Sequence, residues 1–143
     1  MAGSVPRDLI VLADDEGNSV TVTVQGRHPR WAVGLEAEIV VDTPFVAGRI
    51  PLVLSVSKLK GWGDALHRLD AGEDAAWMEW DRGPSIWVRL SGEHDCPEVV
   101  VEDESRSMVT VHVPLLPPDG WIADHRRRLH EVTAHWVPML SVE

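Results

Sequence analysis

Histidine is the residue type in this sequence best suited to metal binding, and the chain has seven. His125, His130 and His135 follow one another at five-residue intervals in a segment with helical periodicity. Because five helical steps turn about 500°, successive members lie about 140° apart around the axis and cannot converge on one ion. The acidic turn at residues 14–18 lacks the alternating oxygen ligands and the distal Glu of a calcium loop. We therefore predict no metal site, and we expect His125 on the packed side of its helix.

The single cysteine is the natural candidate for a nucleophile. Cys96 has His94 and Asp95 beside it in sequence, but a reactive thiol needs a base beside it in space, and no local signature surrounds this one. Glu79 and Asp81 form a possible carboxylate pair, although exposed acidic residues at a hairpin end are common. The sequence has no Gly-x-Ser-x-Gly elbow, no phosphate-binding Gly-rich loop and no dinucleotide fingerprint. It therefore predicts neither catalytic residues nor a cofactor.

Length and charge narrow the class of protein. At 143 residues the chain is expected to form a single α+β domain over residues 1–143, long enough to bury a core without disulfides. A formal net charge of −10 argues against sequence-independent nucleic-acid binding. The charge would steer a basic partner to the surface, or serve only to keep the protein soluble. One cysteine, no basic-then-apolar leader and no apolar run of about 20 residues favour a cytoplasmic protein without membrane contact.

Alternating apolar and polar residues predict four strands in the first part of the chain. They cover residues 9–13 and 19–25, which flank the acidic turn, then residues 35–42, and a fourth segment that follows Phe45 and reaches Val56. Pro51 has no backbone donor, so the fourth strand is expected at a sheet edge or bulged.

Two glycines flank the tryptophan of the next segment, which reads KLKGWGDALHRLD. Its apolar residues recur at helical spacing, and they are Leu59, Trp62, Leu66 and Leu69. Ser57 is a suitable N-cap, and Gly72 ends the predicted helix. Gly61 and Gly63 each cost a helix about 1 kcal/mol relative to Ala. Either the helix starts late, near Trp62, or the glycines let a neighbouring backbone approach closely.

Two further hairpins are predicted, with strands at residues 75–80 and 85–91 and at residues 98–103 and 107–113. The second hairpin places its valines on one face and its polar residues, including Glu98 and His112, on the other. With a four-residue loop at 81–84, the first hairpin has two apolar faces. One carries Ala75, Trp77, Ile86, Val88 and Leu90, and the other carries Met78, Trp80 and Trp87. A three-residue loop would exchange the partners between the faces.

Met78, Trp80 and Trp87 are the candidate partner surface. A helix covering them would give an ordinary two-sided core. Left exposed beside acidic residues, they would form a protein-binding patch, because Met and aromatic residues are enriched at the centres of interfaces.

A second helix is predicted after Pro117 and Pro118, capped by Asp119 and terminated by Pro138. Its apolar side contains Trp121, His125, Leu129, Val132 and Trp136. The expected fold is therefore α+β, with an antiparallel sheet of about eight strands in hairpins. One helix follows the fourth strand, and one C-terminal helix packs on the sheet.

Five segments together resemble a small actinobacterial family catalogued as a domain of unknown function, number 5959. They read DLIVLADDEGNSVTVTVQGR, LEAEIVVDTPFVAGRIPLVL, LKGWGDALHRLDAGEDAAWM, VVVEDES and GWIADHRRRLHEVTAHW. The family has no assigned activity, so the resemblance implies no functional residue. Family members place acidic or helix-forming residues where this chain has Gly61 and Gly63, so a close-packing role shared by the family is not expected. In outline the arrangement is also similar to WapI-type immunity proteins of bacterial toxin systems.

Three hypotheses for function follow. The first is a cytoplasmic, non-enzymatic binding protein, in particular an immunity-like inhibitor of a basic toxin, which uses Met78, Trp80 and Trp87. The second is a small hydrolase or ligand-binding enzyme with carboxylates in a cleft. The third is a structural or scaffold subunit that forms a homo-oligomer.

Overall fold

The computed structural model describes residues 4–80, 83–91 and 96–141. Within them the chain forms eight strands, two α-helices and a short 3-10 helix at Val137–Met139. The first four strands are β1 (Asp8–Ala13), β2 (Ser19–Arg27), β3 (Leu35–Asp42) and β4 (Ala47–Leu54), followed by helix α1 (Val56–Asp70). The second group is β5 (Ala75–Trp77), β6 (Ser85–Arg89), β7 (Glu98–Glu102) and β8 (Thr110–Pro114), followed by helix α2 (Trp121–Trp136).

The strands form two antiparallel sheets, ordered β1-β2-β3-β4 and β5-β6-β7-β8. The predicted α+β class, the eight hairpin strands and the positions of both helices are confirmed. The strands are divided between two sheets, however, because α1 leaves the end of β4 and returns the chain to a new strand rather than to the β4 edge. As expected from Pro51, β4 lies at an edge of its sheet.

The alternation along each strand directs one row of side chains into a shared core. In β2, for example, Val20, Val22 and Val24 are fully buried while the threonines between them are partly exposed. The core continues across α1, α2 and the inner face of the second sheet. At its centre the indole rings of Trp62 and Trp77 lie 5.4 Å apart. Burying each such large side chain contributes about 1.5–3 kcal/mol.

Helix α1 begins earlier than the sequence suggests. Its N-cap is Ser55, whose Oγ accepts a hydrogen bond from the Lys58 N–H at 3.3 Å, so the prediction of Ser57 as the cap is wrong. The helix runs unbroken through both glycines, which excludes a late start near Trp62. A Cβ at Gly61 would meet the Trp77 ring at 3.7 Å, and one at Gly63 would meet Leu129 Cδ2 at 3.3 Å. Side chains, rather than a neighbouring backbone, approach the glycines.

Two strand ends and one cap also differ from expectation. β5 stops at Trp77 because Met78 adopts a left-handed backbone conformation with φ of 66°. β8 starts at Thr110, since the side chain of Asp103 holds Ser107 in the preceding turn. Helix α2 is preceded by Gly120 with φ of 79° and no side-chain cap, so Asp119 is not its N-cap. No helix among the described residues combines the length and apolar character needed to cross a membrane.

Candidate functional site

The three residues of the predicted partner surface are placed differently from one another. Met78 is buried, with 8% of its surface exposed, whereas Trp80 is 91% exposed. Both line a groove of about 420 Å³ between α1 and the end of β5. Trp87 is partly exposed on the outer face of β6, between Ala76 and Val100 on the neighbouring strands, and is not in the lining of this groove. The structure therefore brings two of the three residues together.

The groove beside Met78 and Trp80 carries balanced charge. Lys58 and Arg68 face it from α1, and Asp64 and Glu79 also line it. The described lining thus has two cations and two anions, whose charges cancel and would not steer a charged partner toward the groove. The predicted carboxylate pair cannot be described here, because Asp81 lies outside the described residues.

A second, larger groove of about 800 Å³ is strongly acidic. We call it the acidic groove. One side is the end of β1 and the turn that follows it, and the other is the linker between β8 and α2 together with Cys96. Its lining comprises Ala13, Asp14, Asp15, Glu16, Cys96, Pro114, Leu115, Leu116, Pro117, Pro118 and Asp119. Among the described residues, four acidic residues and no Lys or Arg therefore line a single concave surface.

The acidic turn is held rigid by the first of these carboxylates. Asp14 Oδ1 accepts the backbone N–H groups of Glu16 and Asn18, both at 2.9 Å, and Oδ2 accepts the Asn18 side-chain amide at 2.9 Å. Burial raises the pKa of Asp14, but the hydrogen bonds from Asn18 and Glu16 together outweigh it and leave the pKa below its usual value. With Asp14 committed to the turn, Asp15 and Glu16 are exposed and free to meet a ligand.

The opposite wall is apolar and stiff. Pro114, Pro117 and Pro118 restrict the backbone of the linker. Leu115 is buried in the core, while Leu116 is 67% exposed beside the groove. A further apolar side chain, Phe45, is 95% exposed next to Pro44, which adjoins the acidic turn at Gly17. The groove therefore combines negative charge with exposed apolar surface.

The remaining titratable candidates do not assemble a reactive centre in the described part of the chain. His125 is buried, as expected. Its Nε2 accepts the Val11 N–H at 3.0 Å, and its Nδ1 donates to the Trp121 carbonyl at 2.6 Å. Burial lowers the pKa of His125, in keeping with this neutral form. Cys96 lines the acidic groove, but His94 and Asp95 lie outside the described residues.

His112 lies on the polar side of β8, as expected, where its Nδ1 contacts Glu98 Oε1 at 2.9 Å. That carboxylate is nearly buried, although the sequence places Glu98 on the polar face of the hairpin. Residues 4–80, 83–91 and 96–141 contain no group of three or more His, Cys, Asp or Glu side chains arranged to hold a metal ion.

Family membership follows from a match over residues 7–137 to a family of unknown function, DUF5959. The chain belongs to the DUF5959 family. No curated protein and no solved structure matches it. The actinobacterial source and the similarity to WapI-type immunity proteins stay predictions. Because the DUF5959 family has no described activity, function must be inferred from the geometry of this chain.

Sequence reasoning missed the acidic groove. Its walls, residues 13–16 and 114–119, are distant in the sequence and are brought together only by the fold. In the sequence, the acidic turn and the proline-rich linker can each be recognised, but only as connections between secondary-structure elements.

Proposed function

We propose that this DUF5959 protein is a non-enzymatic binding domain for a basic polypeptide segment of a partner protein. The observation that carries the proposal is the acidic groove, in which exposed Asp15 and Glu16 face an apolar proline-rich wall. A flexible Lys or Arg side chain has an apolar stem and a cationic head, and both find complementary surface there. The net charge of −10 would steer such a partner toward the protein.

The groove near Met78 and Trp80 supports this role less well. Its charges cancel, and Met78 contributes little exposed surface. Only a partner large enough to reach both grooves would contact Trp80. Inhibition of a basic toxin, in the manner of an immunity protein, is a narrower form of the proposal. A cytoplasmic location is expected for it but rests on the sequence alone.

The direct test is selection of ligands from a library of short random peptides displayed against the full chain. Peptides rich in Lys or Arg are expected to be enriched, with affinities that fall as salt is added. Replacing Asp15 and Glu16 together by Lys should weaken the selected peptides by about tenfold, mainly through slower association. Fluorescence anisotropy and stopped-flow association measure both quantities.

A matched control separates the groove from overall charge. The double variant Asp70→Lys/Glu73→Lys changes the net charge equally, but at exposed positions near the end of α1 that line neither groove. Equal weakening by both double variants, or selection of peptides without excess Lys and Arg, would contradict the proposal. For the toxin-inhibitor form, co-expression with a basic toxin encoded beside this gene should protect cells, and the Asp15→Lys/Glu16→Lys variant should not.

A further inference from the structure

Hydrogen bonds at the ends of each hairpin reveal which backbone groups of an edge strand point outward. At β7–β8, the Leu115 N–H donates to the Pro97 carbonyl at 3.0 Å, and the Asp103 N–H donates to the Val109 carbonyl at 3.0 Å. In antiparallel pairs, bonded and non-bonded positions alternate. With the observed register, Val111 and Val113 bond to β7. The residues between them therefore direct their backbone groups away from the sheet.

The outer edge of β8 presents a row of outward-pointing backbone groups. Thr110 and His112 each offer an N–H and a carbonyl, and Pro114 offers a carbonyl. Among the described residues, no hydrogen bond joins this row to another element. Such an edge is a template for another strand unless it is blocked.

The first sheet protects both of its edges. On β1, the outward Val11 N–H donates to His125 Nε2, and the Asp8 carbonyl accepts from Arg128 Nη1 at 3.3 Å, so α2 covers this edge. On β4, the Thr43 N–H donates to the Val46 carbonyl, and the register then directs odd-numbered residues outward.

Three of those outward positions on β4 resist an incoming basic strand. Pro51 has no N–H, and the Val53 carbonyl already accepts from Lys58 Nζ at 2.9 Å. Arg49, which pairs with Glu38 at 3.7 Å, places a cation on the edge with 72% of its side chain exposed. In the second sheet, β5 is only three residues long and is bonded to α1 through the Trp77 indole N–H and the Lys58 carbonyl.

Exposed apolar side chains lie at both ends of the β8 edge. Met108 and Val109, just before the strand, are 75% and 54% exposed, and Leu116, just after it, lines the acidic groove. No Lys or Arg occurs between residues 107 and 125. Asp103, Glu104 and Arg106 precede this stretch, and the acidic groove follows β8 directly.

We propose that β8 is a docking strand, which accepts an extended basic segment of a partner protein as a fifth strand of the second sheet. Main-chain hydrogen bonds to Thr110 and His112 provide affinity, as in other cases of strand addition. One end of the segment then enters the acidic groove, where Asp15, Glu16 and Asp119 meet its cationic side chains. This inference rests on the proposed function and specifies the mode of binding.

The test uses a basic peptide selected as described above, together with two copies that are N-methylated on alternate residues in opposite phases. All three carry the same charges. In strand addition only one phase of amides faces β8, so one methylated peptide is expected to bind about tenfold more weakly and the other to keep its affinity. Equal affinities of the two methylated peptides would contradict the proposal that β8 is a docking strand.

A protein variant tests the same contact from the other side. Thr110→Pro removes an outward donor at the first residue of an edge strand, where Pro does not disturb the bonds to β7. It should weaken the peptide about tenfold relative to Thr110→Ala, which keeps the N–H. The methylated peptides act on unaltered protein, so the answer does not depend on folding of the Thr110→Pro variant.

The two proposals fail separately. A peptide that is weakened by Asp15→Lys/Glu16→Lys but indifferent to methylation phase and to Thr110→Pro would overturn the docking strand and leave the basic-segment function intact. The converse result is a peptide whose affinity depends on methylation phase and on Thr110→Pro but not on Asp15→Lys/Glu16→Lys. It would contradict binding in the acidic groove and retain strand addition at β8.

Discussion

The two sheets differ in how their edges are closed. The first sheet has α2 along β1, and proline, arginine and a lysine contact along β4. The second sheet has a short strand beside α1 at one edge and, at the other, β8, whose outward backbone groups bond to no other element among the described residues. The edges of the first sheet are therefore protected against pairing with a further strand, while β8 of the second sheet retains backbone groups to which a partner can hydrogen-bond.

This difference between the sheet edges follows from the order of the strands in each sheet. Both helices pack near β1 and β5, with α2 against β1 and α1 against β5 and α2, so the first strand of each sheet is covered. The last strand of each sheet has less cover from the helices and depends mainly on its own residues for protection. β4 has such residues in Arg49 and Pro51, whereas β8 has only Pro114 at its end. Binding capacity is thus expected at β8, and stability at the helix-covered strands.

The largest expected effect comes from removing the ring that ties β5 to α1. Trp77→Ala should lower the free energy of unfolding by about 3–5 kcal/mol, because the indole is buried against Trp62 and its N–H is bonded to the Lys58 carbonyl. Trp80→Ala, three residues along and 91% exposed, should change it by less than about 0.5 kcal/mol. Urea unfolding measures both. Similar losses from the two variants would show that the covered edge of the second sheet is not held by this contact.

A smaller effect is expected from opening the covered edge of the first sheet. His125→Ala leaves the Val11 N–H without its partner, which should cost about 1–3 kcal/mol. Hydrogen exchange of the Val11 amide should accelerate at the same time. His130→Ala, on an exposed position of the same helix, is the matched control and should alter neither. An unchanged exchange rate at Val11 in His125→Ala would mean that α2 does not close the β1 edge.

The same histidine predicts a pH dependence. Burial lowers the pKa of His125 from its ordinary 6.5, so between the folded pKa and 6.5 the unfolded chain binds more protons than the folded one. Its contribution to stability is complete above 6.5 and is lost as pH falls through that window, at up to about 1.4 kcal/mol per pH unit. Unfolding midpoints measured from pH 7.5 down to about pH 5 test this. His125→Gln should remove the slope, and retention of the full slope in that variant would assign it to other groups.

The elements were predictable where a local period determines them. Alternation located the strands, and the 3.6-residue spacing located α1 and α2, because burial of one face leaves a signature in consecutive residues. The division of the eight strands between two sheets leaves no such pattern in consecutive residues, because it depends on where α1 packs after β4. The caps failed for a related reason. Ser55 and Ser57 are both suitable N-caps, and only the backbone of the structure distinguishes them.

The candidate site was predictable in part. The alternation of side chains along a strand placed Met78 and Trp80 on one face. That prediction assumed a strand through residue 80, but the left-handed backbone conformation of Met78 ends the strand at Trp77. The acidic groove and the open β8 edge arise from segments distant in sequence. Each is visible only when the strand order is known, because a free edge is a property of the sheet rather than of its strand.

The smallest expected effects come from alanine substitutions at the two glycines of α1. Gly61 lies on the surface that faces β5, and Gly63 lies on the surface that faces α2. Gly61→Ala should stabilise the protein by up to about 1 kcal/mol, because the new methyl makes an ordinary contact of 3.7 Å with the Trp77 ring and the helix gains a better helix former. Gly63→Ala should gain less, since its methyl would lie 3.3 Å from Leu129 Cδ2 and that side chain must move. Thermal and urea unfolding of both variants compare the surfaces directly. A larger gain at Gly63 than at Gly61 would show that α1 is packed more tightly on the second sheet than on α2, opposite to the order of the two distances.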